Sequence, residues 1–259
     1  MIQTIFVVPY RNRECQKHFF EKYMSYLMED TDPSTYEVVF AHQKNELPFN
    51  RGGVKNIGFL YAKEKYPHYK DIVFVFNDID TLPYKKGHLN YTLRENEIKH
   101  YYGFKYCLGG IMAIRGKDFE RINGFPSFWN WGWEDTILYE RAIAAQMIIN
   151  RDQYVDFGNH TILHLNDGPT RDISLKMYRE YQKGNIQDGL STLRHVKYEK
   201  NELLDIVSFV CSYYPFDTSV KNLYLKGQEP DKKELPKEFQ RDAVPTPTFI
   251  RPRSRMMRY

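Results

Sequence analysis

The chain is 259 residues long, 42% hydrophobic and 27% charged, with a net charge of +4. These are ordinary values for one medium soluble domain, and the small positive excess accommodates an anionic ligand without calling for nucleic acid. No window reaches the roughly 18 apolar residues of a membrane span, and Cys15, Cys107 and Cys211, lacking paired spacing, give no disulfide framework and suit a reducing compartment.

Along the chain, Ile2 to Val8 is a nearly continuous apolar run closed by Pro9, as expected of a strand buried on both faces. It lacks the basic n-region and long apolar core of a signal peptide, so a cytoplasmic, unanchored protein is expected. His18 to Met28 has helical spacing, and Tyr36 to Ala41 reads as a second strand. Val54, Ile57 and Leu60 mark one face of a helix starting near Asn50. Asp71 to Phe76 is the strongest strand signal and runs straight into Asn77-Asp78-Ile79-Asp80. Leu108 to Arg115 predicts another strand, Lys117 to Ile122 a helix stopped by Asn123-Gly124, and Glu134 to Ile149 a longer helix with an acidic start. Strands alternating with helices imply an α/β fold around a mostly parallel sheet. We expect one domain over 1–226 and a Pro-rich basic tail over 227–259.

Two segments carry chemistry. In α/β sheets ligands bind beyond the carboxyl ends of strands, where Asp78 and Asp80 stand one residue apart. Their hard oxygens suit Mg²⁺ or Mn²⁺, which bridge diphosphate oxygens, although a solvated Asp-x-Asp loop is the commoner origin of such a pair. The second segment is Phe128-Trp129-Asn130-Trp131-Gly132-Trp133-Glu134-Asp135, which gathers all three tryptophans and runs into two acids opening a helix. Indole rings pack on sugars, and a carboxylate fixed at a helix start can remove a hydroxyl proton. An aromatic-capped helix with acids complementing its dipole accounts for the same residues equally well. Arg11 and Arg13 read either as phosphate ligands or as surface charge beside a strand end.

Together these pieces resemble the β-1,4-galactosyltransferase family, glycosyltransferase family 7. Val8-Pro9-Tyr10-Arg11-Asn12-Arg13 is similar to that family's opening motif, and Phe49-Asn50-Arg51-Gly52-Gly53 with Asn56-Ile57-Gly58-Phe59 to its first long helix. Asn77-Asp78-Ile79-Asp80-Thr81-Leu82-Pro83 resembles its metal motif. Gly109-Gly110, Asn123-Gly124-Phe125 and Trp131-Gly132-Trp133-Glu134-Asp135 resemble its core. Thr161-Ile162-Leu163-His164-Leu165-Asn166-Asp167 and Gly189-Leu190-Ser191-Thr192 are similar to the branch that galactosylates xylose on proteoglycan linkers.

The resemblance implies a single nucleotide-sugar-binding, GT-A-like domain and an inverting, metal-dependent transferase. The expected donor is UDP-galactose or a related UDP-sugar, and the expected acceptor a saccharide hydroxyl. It implies Mn²⁺ as cofactor, with Mg²⁺ as the other candidate, and neither nucleic acid nor a membrane span. Carried over by position, Pro9, Arg11 and Arg13 would hold uridine and diphosphate, with Phe49 and Arg51 beside them. Asp78 and Ile79 would line the nucleotide, and Asp80 would bind the metal. Trp131, with Gly132, would close over donor and acceptor, Glu134 would hydrogen-bond sugar hydroxyls, and Asp135 would be the general base. His164 would be a metal ligand; His160 shares its face only if that segment is helical.

This sequence departs from the family in two places. Thr161 and Asn166 stand where the family supplies a Met or a second His to the metal, which makes Asn166 the candidate third ligand. Cys107, two residues before Gly109-Gly110, stands where the family carries Tyr, implying a roomier donor-sugar pocket that admits UDP-N-acetylgalactosamine. The rival readings are a transferase using a different UDP-sugar and a non-catalytic glycan- or nucleotide-binding protein on the same fold.

Overall fold

The structure, a computed structural model, describes residues 1–129, 131–165, 175–184 and 187–213. The strand β1 (Thr4–Tyr10) forms where the apolar run predicts it, but it continues through Pro9 to Tyr10. It pairs in parallel with β2 (Tyr36–Gln43) on one side and with β3 (Val73–Asn77) on the other. The β3 pairing ends at Val7, so Pro9 lies beyond that ladder, opposite Ala41 of β2. Ile5 and Val7 pack into one core layer and Phe6 and Val8 into the other, which is why the run is apolar throughout instead of alternating.

The rest of the sheet mixes directions. Next to β3 stand β6 (Ile111–Arg115) and then β5 (Glu97–Gly103), both pairings antiparallel. Two short strands, β7 (Ile148–Asn150) and β8 (Val155–Asp156), run parallel to β5. At the far edge a hairpin of β10 (Arg194–Lys200) and β11 (Leu204–Val210) joins through β11, parallel to β2. The order is β10-β11-β2-β1-β3-β6-β5-β7, with β8 also on β5. Parallel pairings outnumber antiparallel ones among the described residues, so the expected mostly parallel sheet holds. Outside it, β4 (Thr81–Pro83) and β9 (Ile162–His164) form a two-stranded antiparallel ladder.

Helices cover both faces. The helix α1 (Glu14–Leu27) lays Phe20 and Met24 on the layer containing Phe6 and Phe40. On the opposite face lies α2 (Arg51–Lys65), started by Asn50, whose side chain accepts from the Gly53 N–H at 2.8 Å. A Cβ at Gly52 would sit 1.9 Å from the Pro126 carbonyl oxygen, so only glycine lets α2 approach this closely. The same layer holds α3 (Gly116–Arg121), α4 (Glu134–Ala144) and α5 (Leu175–Gln182), with Ile137 and Leu138 of α4 and Met177 and Tyr178 of α5 in its core.

One predicted element is corrected. The helix expected over Glu134 to Ile149 stops at Ala144. Gln146 takes a left-handed φ of 55°, which turns the chain so that Ile148–Asn150 adds to the sheet as β7. Nor is the segment at His160 to His164 helical: Ile162–His164 is a strand. The predicted tail from 227, like the proposed boundary at 226, lies outside the described residues.

Candidate active site

The site starts at the carboxyl end of β3. Asn77, 2% exposed, donates from its side chain to the carbonyls of Asp78 (2.8 Å) and Thr81 (2.7 Å), folding the chain into a turn. Ile79 is buried with Phe6 and Tyr101, so its side chain anchors the turn. The Asp78 N–H donates to the Gly110 carbonyl at 2.9 Å, tying the turn to the Gly109-Gly110 segment.

Across from it, α2 and α4 bring their first turns together, and Arg51 is the hub. Its guanidinium donates to Asp78, to Glu134 and, at 2.7 Å, to Asp135 Oδ2. Burial disfavours that charge, but Asp135, Asp78 and Glu134 more than offset the penalty and hold the guanidinium above its ordinary pKa. Lys55, one turn further along α2, donates to Asp135 Oδ1 at 3.0 Å. Asp135 is pinned by its backbone too, since its carbonyl accepts from the Leu108 N–H at 3.0 Å. A Cβ at Gly109 would meet Asp135 Oδ2 at 2.7 Å, so the glycine makes room for this carboxylate. Arg51, expected beside uridine and diphosphate, bridges Asp78, Glu134 and Asp135.

The metal residues gather on the other side of the turn. Register in the small ladder sets Thr81 opposite His164, and the Leu165 N–H donates to the Asp80 carbonyl at 2.8 Å. His164 Nε2 therefore lies 3.9 Å from Asp80 Oδ2, close enough for both to bind one ion. Arg13 reaches the same carboxylate oxygen at 3.1 Å. The Tyr102 hydroxyl is 3.1 Å from His164 Nδ1 and accepts from the Gly158 N–H, which turns Nε2 toward Asp80. A carboxylate and an imidazole with a fixed ring suit Mn²⁺ or Mg²⁺. Among the described residues no three His, Cys, Asp or Glu side chains gather into a metal group. Asn166, the expected third ligand, lies outside those residues. The Thr161 hydroxyl donates to Asn159 at 2.8 Å.

The remaining expected residues fall around these two halves. Pro9 is buried in β1, and Arg11 and Arg13 follow on the loop beyond it. Arg11 donates to the Leu47 carbonyl, which draws its loop against the segment carrying Phe49; burial lowers its pKa, partly offset by Glu46. Cys107 is buried, and desolvation pushes its thiol up to about 12. Gly110 has a left-handed φ of 70° and Gly132 one of 111°. The three tryptophans divide. Trp129 is core, stacked on Phe209 with its indole N–H on the Tyr213 carbonyl. Trp131 is partly exposed, three residues before Glu134. Trp133 caps α4 at a φ of 72° and stacks on Tyr178 at 4.2 Å.

Three residues that the motif reading did not select belong to the site: Lys55, His100 and Tyr102. His100, in β5, hydrogen-bonds through Nε2 to the carbonyls of Tyr102 and Gly109, each at 3.1 Å. Burial, with the nearby Arg151, depresses its pKa to about 4, so it is a neutral brace for the Gly109 backbone. The signal available for Lys55 was its spacing, four residues after Arg51 on one helical face.

Residues 1–92 match the family profile described as the N-terminal region of glycosyl transferase group 7, and residues 89–164 that of the N-terminal domain of galactosyltransferase. β-1,4-Galactosyltransferase 4 of Cricetulus griseus is 30% identical over 206 residues, which are 72% of this chain and 56% of that protein. β-1,4-Galactosyltransferase 1 of Bos taurus is 27% identical over 74% of this chain and 50% of its own length. The chain thus spans about half the length of these curated relatives. The catalytic domain of Drosophila β1,4-galactosyltransferase 7, solved in complex with xylobiose, superposes with a TM-score of 0.66 at 21% identity, covering 80% of this chain and 94% of that one. A mutant of the fly protein in complex with manganese, UDP-Gal and xylobiose gives 0.64 at 19% identity, with the same coverage. The fold is that of the GT-A-like galactosyltransferases.

Proposed function

We propose that this chain, which belongs to glycosyltransferase group 7, is an inverting, divalent-metal-dependent transferase that moves galactose or N-acetylgalactosamine from a UDP-sugar to a saccharide hydroxyl in β-linkage. One continuous arrangement supports the reading: His164 and Asp80 on one side of the 78–80 turn, and Asp78, Arg51 and Asp135 on the other. It provides a base and a cation site held by the same few residues, as a displacement at the anomeric carbon requires.

In this reading Asp135 takes the proton of the acceptor hydroxyl. The hydroxyl oxygen bonds to the anomeric carbon while the bond to the β-phosphate oxygen breaks, its electron pair leaving with UDP. Attack from the face opposite UDP inverts the centre. Asp80 and His164 would hold the ion, which supplies Lewis-acid charge for the departing diphosphate. Arg13 lies on Asp80, giving the leaving group further positive charge, and Arg11 stands two residues before it on the same loop. Glu134, 3% exposed and held by Arg51, would present its free oxygen to sugar hydroxyls. Cys107 is a far smaller residue than the Tyr the family carries at this position, which is why both sugars are proposed; its side chain is buried.

The experiment is a panel of UDP-sugars against simple monosaccharide acceptors, with Mn²⁺ or with EDTA, read by mass spectrometry. A β-linked hexose adduct from UDP-galactose or UDP-N-acetylgalactosamine that disappears with EDTA is expected. UDP binding without any transfer favours the non-catalytic reading, and transfer untouched by EDTA refutes the metal assignment.

A further inference from the structure

A lysine lies at the base of the site where its burial needs a reason. Lys55 is 1% exposed, between Val54 and Ile57 in the core-facing part of α2. A buried ammonium is costly unless it is paired and hydrogen-bonded. Its Nζ lies 3.0 Å from Asp135 Oδ1, 3.8 Å from Asp78 Oδ1 and 4.6 Å from the centre of the Phe125 ring. The shortest of these contacts is therefore to the carboxylate assigned as base.

The two cations of α2 treat Asp135 differently. Arg51 is shared among Asp78, Glu134 and Asp135 and reaches the last through Oδ2. Lys55 takes the other oxygen, from beneath. Oδ2 is also the oxygen that faces Gly109, two residues after Cys107 of the expected donor-sugar pocket. We propose that Lys55 is a positioning residue for Asp135: it fixes Oδ1 and thereby directs Oδ2 to receive the acceptor's proton. The inference rests on the transferase reading above. In the step it governs, the acceptor O–H bond breaks and its proton passes to Oδ2. The freed electron pair forms the glycosidic bond, and UDP leaves with the electrons of the broken bond.

The charged and titratable groups around Asp135 are Arg51 and Lys55 from α2, Glu134 from its own helix, Asp78 from the turn after β3, His100 from β5 and Cys107 before Gly109. His100 titrates near 4 and Cys107 near 12, so neither changes charge around neutral pH. Loss of Lys55 therefore acts on the carboxylate cluster, first on Asp135.

The test compares wild type, Lys55→Met and Lys55→Arg in the whole chain, with UDP-galactose and a responsive acceptor from the panel. Lys55→Met is expected to lower kcat about tenfold or more with donor KM within about twofold. The acid limb of its kcat/KM profile should rise by about one pH unit, and Lys55→Arg should bring that limb back. A folded Lys55→Met with wild-type kcat and an unmoved limb overturns the proposal. Should Lys55→Met fail to fold, the double variant Lys55→Met/Asp135→Asn, which removes both partners, is expected to fold again; a double variant as unstable as the single one overturns the pairing. Wild type that binds UDP yet transfers nothing sinks the parent reading, whereas wild type that transfers alongside an indistinguishable Lys55→Met sinks this one alone.

Discussion

The basic side chains of the two halves of the site are buried to different degrees. In the base half, Arg51, Lys55 and Glu134 are 7%, 1% and 3% exposed, and Asp135 is held through both carboxylate oxygens and its backbone carbonyl. In the metal half, the side chains of Arg13 and His164 are 22% and 25% exposed. His164 there sits on a three-residue strand whose ladder fixes its place beside Asp80. A base must be in position before the acceptor arrives, because misplacement costs rate steeply. A cation arrives with its own charge and can draw carboxylate and imidazole into final geometry. Preorganisation is concentrated where no ligand helps to assemble the site.

Substitutions can break or sharpen that contrast. The largest effect belongs to Arg51→Met, which leaves Asp78, Glu134 and Asp135 facing one another without their shared, buried cation. We expect a loss of about 3–5 kcal/mol of stability, read as a fall in melting temperature of about ten degrees. A variant melting with wild type would mean that the base half is not held together by this ion cluster.

Next is the response to acid. His100 braces the Gly109 carbonyl, and its pKa in the folded chain is about 4 against an ordinary 6.5. Between those values the unfolded chain binds more protons, so this contribution is intact above about pH 6.5 and is lost as the pH falls toward 4. It amounts to about 3 kcal/mol at the low end. The urea midpoint of wild type relative to that of His100→Gln should therefore fall steadily as the pH drops from neutral toward 4. Parallel curves would remove His100 from the base half.

The smallest effect on folding is expected from the metal half. His164→Ala should weaken Mn²⁺ binding by at least about tenfold in a calorimetric titration with UDP, while the melting temperature without metal moves by no more than a few degrees. Equal Mn²⁺ affinity in the two proteins would dismiss His164 as a ligand.

How much was legible in the chain depended on the range of the interaction. The strands at β1, β2 and β3 and the start of α2 were readable because burial on both faces writes itself as apolar runs, and because Asn50 caps its own helix. The strand β5 was not, since Glu97, Lys99 and His100 interrupt its apolar pattern. Glu97 is nonetheless 2% exposed, satisfied by the Arg94 N–H and the Asn150 side chain, which come from outside the strand. The hairpin edge at β11 had a visible alternation, with Leu204 and Ile206 buried and Asp205 between them, but without a motif it went unread. The tryptophan cluster read as one feature and is three: a core ring, a partly exposed ring and a helix cap.

The sequence alone determined the α/β class, the carboxylates at the end of β3 and at the start of α4, and the pairing of Asp80 with His164 as the metal candidates. These follow from local pattern and ordered motifs. Only the tertiary structure decided that Arg51 bridges Asp78, Glu134 and Asp135, that Lys55 is buried beneath Asp135, and that Tyr102 orients His164. Each depends on residues from separate elements meeting at distances of a few ångströms, where the cost of burying a charge is set by the partner brought alongside it. No spacing along the chain records that cost.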